Sequence, residues 1–182
     1  GMVMAKDLFS LYLFAELMSV TAYALVAFRR RSATAIEAGF KYLVMGSAGT
    51  LTLLMGIALF YRDTGSVTLG QPVQASTVWG RASVACMFVG LAIKSAIVPA
   101  HTWLPDAYER APSTIASLSG IVTPSAFYAL IKVTLSSGYP PERLGLFLVG
   151  LGLLNMSLGN LLALVQVNTK RLLAYSSIAY VG

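Results

Sequence analysis

Residues 8–28 form an apolar run that ends in three consecutive arginines, Arg29, Arg30 and Arg31, and a run of about 20 such residues is what a helix needs to cross a hydrocarbon layer. Backbone N–H and C=O groups find no water in lipid, so a chain carrying such runs can span only as helices or as a closed barrel. Apolar runs recur at 36–60, from Val78 to a break near Pro99, at 112–135 and at 144–167, and the chain stops inside LLAYSSIAYVG, too short to span. The sequence therefore predicts an all-α integral membrane protein, a helical bundle of five full spans plus a partial sixth, with one helix broken near Pro99. The first run suits a spanning helix better than a cleaved signal.

Composition agrees. The chain is 57% hydrophobic and 11% charged, with a mean hydropathy of +0.73, whereas about a quarter of the residues of a soluble domain are charged. The net charge of +6 is explained by topology rather than by a nucleic-acid partner. Arg29 to Arg31, Arg110, Lys170 and Arg171 fall in the connections assigned to the inside, against Lys6, Arg62, Arg81 and Arg143 outside, the bias expected of cytoplasmic loops. The lipid bilayer is the partner this composition implies. Cys86 is the one cysteine and His101 the one histidine, so neither a disulfide framework nor a Cys/His metal site can be built within the chain, and no cofactor is expected.

The anomaly in this pattern is Lys94 to Pro105, KSAIVPAHTWLP. A charge at mid-membrane depth costs about 3 kcal/mol or more, so it persists where it faces a partner, a cavity or a pathway. The competing reading is a lysine that snorkels along its stem to the interface. Pro99 has no N–H for the carbonyl of Ser95, nor Pro105 for that of His101, so both are expected to break the helix beyond the lysine. His101, seven residues after Lys94, would share its face if the helix resumed; the plainer reading is a hydrogen-bonded interfacial histidine. Trp103 reads as interfacial.

Glu16, in ELMSVTAY, is the acid nearest the middle of the first run. Intramembrane acids are functional by default, a structural ion pair being the alternative. Glu37 and Lys41 have the i, i+4 spacing of a salt bridge near the headgroups. Gly46 to Thr50 form a small-residue patch for close packing, as do Gly145, Gly152 and Gly159 at seven-residue intervals on a helix that also carries Asn155 and Gln166. Ser113, Ser117, Gly120 and Pro124 make a small, kinkable stripe on the fourth run. Asp106 to Ala111 reads as an inside loop, and Lys132 as a snorkelling lysine at an outer helix end.

KSAIVPAHTWLPDAYERAP, with ELMSVTAY, EAGFKYLVMGSAGT and NTKRLLAYSSIAYVG, resembles the antiporter-like proton-translocating subunits of respiratory complex I, the NADH:quinone oxidoreductase. That family also includes the large subunits of Mrp-type sodium/proton antiporters and of membrane-bound hydrogenases. The resemblance implies inverted helical repeats, with a first repeat over 1–135 and the start of a second over 144–182, in a chain that is a fragment of a longer member. It implies that Glu16 and Lys94 hold and release a proton, that His101 to Asp106 form the signature after the break, and that Lys170 and Arg171 open a later helix. Glu16, Lys94 and His101 are thus the proton-transfer candidates and Lys132 and Lys170 the secondary ones. The chain departs from the family at Leu118, Ser119, Thr123 and Pro124, where a titratable side chain usually stands. The implied partners are other membrane subunits of a respiratory or hydrogenase-type complex, with protons, or sodium, as the ion. The implied location is a bacterial or archaeal cell membrane or an organelle energy-transducing membrane. A non-conducting membrane scaffold is the rival from a different class.

Overall fold

The computed structural model describes residues 1–28, 32–73, 77–138 and 141–182, with the backbone alone for 113–119 and 141–143. Arg29 to Arg31, which carry most of the orientation argument, lie outside the described residues, as do the side chains of Ser113, Ser117, Leu118, Ser119 and Arg143. After a 3-10 turn at Met2–Met4 come α1 (Leu8–Val26), α2 (Ala33–Thr64), α3 (Val78–Lys94), α4 (Trp103–Arg110), α5 (Ser113–Ser136), α6 (Pro141–Leu164) and α7 (Thr169–Val181). Among the described residues there is no strand, only an isolated bridge between Asp7 and Thr68.

Helix starts follow short polar side chains, as orphaned N–H groups require. Asp7 accepts from Ser10 N–H at 2.7 Å, Ser32 from Ala35, Thr77 from Gly80 and Asn168 from Lys170. α2 is longer than the 36–60 expected. It starts at Ala33 and runs through Thr64 to Gly65 at φ 72°, which at 1.5 Å per residue is about 48 Å, well beyond a hydrocarbon core.

Glycine sets the closest helix approach. A Cβ on Gly90 of α3 would stand 2.6 Å from both Gly49 O and Leu53 N of α2, and one on Gly56 would meet Met87, so the two backbones touch only because nothing lies between them. Gly159 plays the same part against Ala179 of α7, and Gly152 against Gly182, while Gly145 faces open space. An apolar groove of about 390 Å³ separates α5 from α6.

Two apolar clusters result. One takes in Leu8, Leu11 and Ala15 of α1, Leu53 and Ile57 of α2, Met87 and Leu91 of α3, and Ala126 and Leu130 of α5. The other gathers Ala22, Tyr23 and Val26 of α1, Tyr42 of α2, Ala96, most of α4, and Ala174 and Ile178 of α7. Ser19 and Lys94, both buried, each lie within about one helical turn of both clusters, and the buried Thr50 and Thr123 lie one turn from the first, before Leu53 and Ala126. The outward faces stay apolar: Leu17, Leu51, Leu146 and Leu161 are each at least 60% exposed, a surface suited to lipid rather than water. Among the described residues α1, α2 and Leu144–Leu164 of α6 are long and apolar enough to cross a membrane alone.

Candidate functional site

Lys94 is the last residue of α3. Helical side chains lean toward the helix N-terminus, which aims this one back into the bundle, and Lys94 is 4% exposed. It does not snorkel. Its Nζ donates to Ser19 Oγ of α1, and that hydroxyl donates to Ala15 O at 2.7 Å. Glu16 lies one turn before Ser19 and is half-buried. Among the described residues no carboxylate comes within 4 Å of the Lys94 ammonium, and the contact that α1 makes with it is Ser19.

The interruption after Lys94 has a cause different from the one expected. Ala96 N–H donates to Ile93 O at 3.2 Å and Ile97 N–H to Ala92 O at 3.0 Å, the paired bonds of a Schellman ending, with Ala96 at φ 55° in the left-handed position usually given to glycine. α3 is therefore closed before Pro99, which lies exposed within the connection. Pro105 does not break a helix either. It is the third residue of α4, inside the first turn, where an N–H has no intrahelical partner. The stretch expected as a loop, 106–111, is mostly α4.

His101 does not share the face of Lys94, since no helix joins them. It is half-buried, its Nδ1 lacks a partner among the described residues, and no hydrogen bond or ion pair described links it to Lys94. Trp103 is buried, not interfacial. Its indole N–H donates to Ile93 O at 2.9 Å, its ring stacks on Tyr42 at 4.3 Å, and Tyr42 meets Tyr23 edge-on at 4.6 Å. This stack ties α1, α2 and α4 together beside the residue preceding Lys94. The Tyr23 hydroxyl faces Gly46 and has no hydrogen-bond partner among the described residues.

Sequence reasoning missed Ser19 and Asn155 as site residues. Ser19 was findable as the third residue after Glu16 on one helical face. Asn155 of α6, buried, accepts from Val98 N–H at 3.0 Å and donates to Leu151 O at 2.9 Å, so a distant helix holds the connection in place. The secondary lysines are engaged elsewhere. Lys132 donates to Ala5 O at 2.7 Å and Val3 O at 3.3 Å, tying down the N-terminal segment, and Lys170 donates to Ala111 O at 2.7 Å at the end of α4.

A second group of charges lies at the far end. Lys41 pairs with Glu37 at 2.9 Å and Asp106 at 3.3 Å, and Arg171 with Asp106 at 3.6 Å and Glu109 at 3.2 Å, which joins α2, α4 and α7. Among the described residues no group of His, Cys, Asp and Glu is placed to hold a metal ion.

Residues 5–182 match the family model described as NADH:quinone oxidoreductase/Mrp antiporter, TM. Curated relatives include NADH-quinone oxidoreductase subunit N of Myxococcus xanthus, 39% identical with 100% of this chain and 37% of the relative covered, and that of Desulforamulus reducens, 37% identical with 100% and 40% covered. The chain thus spans about two fifths of their length. Among solved structures, a chain of respiratory complex I from Thermus thermophilus with bound aureothin superposes with a TM-score of 0.82 at 36% identity, over 98% of this chain and 39% of that one. A chain of the Mrp complex from Dietzia sp. DQ12-45-1b gives 0.85 at 27% identity, over 97% and 34%.

Proposed function

This chain belongs to the NADH:quinone oxidoreductase/Mrp antiporter transmembrane family, and from that premise we propose that it is part of a proton-translocating membrane subunit of a redox-driven complex, with Lys94 as its proton carrier. It is an integral membrane protein, and the other membrane subunits of such a complex are its proposed partners. The span count belongs to the same proposal: α3 with α4 and α5 complete the crossings made by α1, α2 and α6, and α7 begins another. Residues 1–135 and 144–182 are read as parts of two repeats.

The observation that carries the proposal is the isolation of the Lys94 ammonium, which is buried and held by a hydroxyl rather than a carboxylate. Burial favours the neutral form of an amine and a nearby negative charge the protonated form, so a change in the charge or position of Glu16 tips the balance at Lys94. Ser19 is suited to both states, because a hydroxyl can accept from an ammonium and donate to a neutral amine. His101 has no described link to Lys94 and enters the proposal only as a group near the opening of the connection.

The test is proton pumping by the full-length subunit in its assembled complex, reconstituted in vesicles. Lys94→Ala is expected to abolish pumping while the complex still assembles; unchanged pumping refutes the carrier role. Sodium-dependent exchange in place of pumping selects the antiporter reading, for which the similarity to the Mrp chain speaks.

A further inference from the structure

One buried hydroxyl close to the Lys94 contact is left over. Tyr23 of α1 is 7% exposed, and its Oη makes no hydrogen bond among the described residues, a state that costs free energy unless it serves a purpose. Across the seam it faces Gly46 of α2, where an added Cβ would overlap it. Gly46 brings no side chain, and its carbonyl accepts from Thr50 Oγ1 at 3.1 Å in addition to its helical donor. With both lone pairs taken, that carbonyl has nothing to offer the phenol.

The acceptor within reach lies on the same helix. Helical side chains lean toward the helix N-terminus, which carries the Tyr23 ring back over Ser19, one turn earlier on the same face. The two hydroxyls interact, although not at hydrogen-bond geometry in this structure. Ser19 Oγ donates to Ala15 O at 2.7 Å and accepts from Lys94 Nζ, which uses its proton and one of its two lone pairs. The second lone pair is open to the Tyr23 O–H.

Packing holds these groups at one level. Gly49, one turn after Gly46, lies against Ile93, the residue before Lys94, with an added Cβ 3.2 Å from its side chain. The Tyr23 ring is fixed edge-on by Tyr42, Tyr42 stacks on Trp103, and Trp103 bonds Ile93 O. We propose that Tyr23 is a positioning residue for the carrier, its hydroxyl donating to Ser19 Oγ as the Lys94 ammonium gives up its proton. A donor to Ser19 competes with the ammonium for that oxygen and strengthens Ser19 as a donor to the neutral amine. Neither hydroxyl takes the proton; both only reorient. Tyr23 thus eases release, and the proposal rests on Lys94 being the carrier.

The experiment uses the full-length subunit in its assembled complex, in vesicles. Tyr23→Phe, which keeps the ring and its stack, is expected to lower pumping several-fold with assembly intact. In a Ser19→Ala background the same substitution is expected to change nothing further. Wild-type pumping in Tyr23→Phe overturns the inference, and so does an equal fold-loss in both backgrounds, since the tyrosine would then act through packing. Where Ser19→Ala alone leaves too little pumping to compare, a structure of the complex at alkaline pH decides. Tyr23 Oη is then expected within about 3 Å of Ser19 Oγ, and a bond to Glu16, or any other arrangement, overturns the inference. Wild-type pumping in Lys94→Ala removes the carrier reading itself, whereas lost pumping there beside wild-type pumping in Tyr23→Phe removes this inference alone.

Discussion

Lys94 and Asp106 flank the same interruption, yet their charges are handled in opposite ways. Asp106 is about a third exposed and shared by Lys41 and Arg171, in a group where every acid has a base and water is close. Such pairs are individually weak, about 0–1 kcal/mol, because solvent screens them and ordering long side chains costs entropy. Lys94 is buried, and among the described residues its ammonium contacts no carboxylate, only the Ser19 hydroxyl. A fully paired charge has no reason to change state; an isolated buried one can be tipped by a modest change nearby. The far-end charges thus fasten α2, α4 and α7, and the layer between the two apolar clusters is where the proposed carrier would hold or release its proton.

Four variants sharpen that contrast. Asn155→Ala removes the acceptor of the Val98 N–H and leaves the connection after Lys94 unanchored; a loss of about 1–3 kcal/mol of stability is expected, measured by thermal unfolding of the assembled subunit. Ala96→Gly relieves a left-handed alanine and is expected to stabilise the end of α3 by about 1 kcal/mol, read in the same assay. Glu109→Gln, on the Arg171 pair, is expected to cost under about 1 kcal/mol and to leave pumping intact; a large pumping defect would mean that the far end is more than a fastening. The smallest effect is at Asp7, whose carboxyl is held below the usual range by the N–H and hydroxyl of Ser10. Because its folded value is depressed, the stability it adds is present above the ordinary carboxylate range and fades as pH falls through the folded value. Asp7→Asn is expected to flatten the acid limb of a stability profile.

How far the sequence speaks depends on what each residue type leaves open. A lysine in an apolar run admits few explanations, so Lys94 is visible at once, and the long runs make α1, α2 and α6 plain. α4 is hidden because eight residues with three charges and a proline look like a loop, although that proline stands in the one turn that tolerates it. The end of α3 is hidden because alanine carries no mark of the left-handed conformation it adopts at position 96, and Pro99 draws the eye instead. The apparent pairing of Glu16 with Lys94 omits Ser19, since only the relative height of two helices decides which residue of α1 meets the ammonium. Asn155 is opaque for the same reason: the backbone group it bonds belongs to a segment more than fifty residues earlier, and its partner there, Val98, carries no polar side chain to signal the contact.

The most direct test of the central claim is proton pumping by Lys94→Arg in the assembled complex. Arginine keeps the charge but does not give up its proton in proteins. If Lys94 works by releasing a proton, pumping is lost although the site stays cationic and the complex assembles; pumping at the wild-type rate with arginine in place would contradict the account.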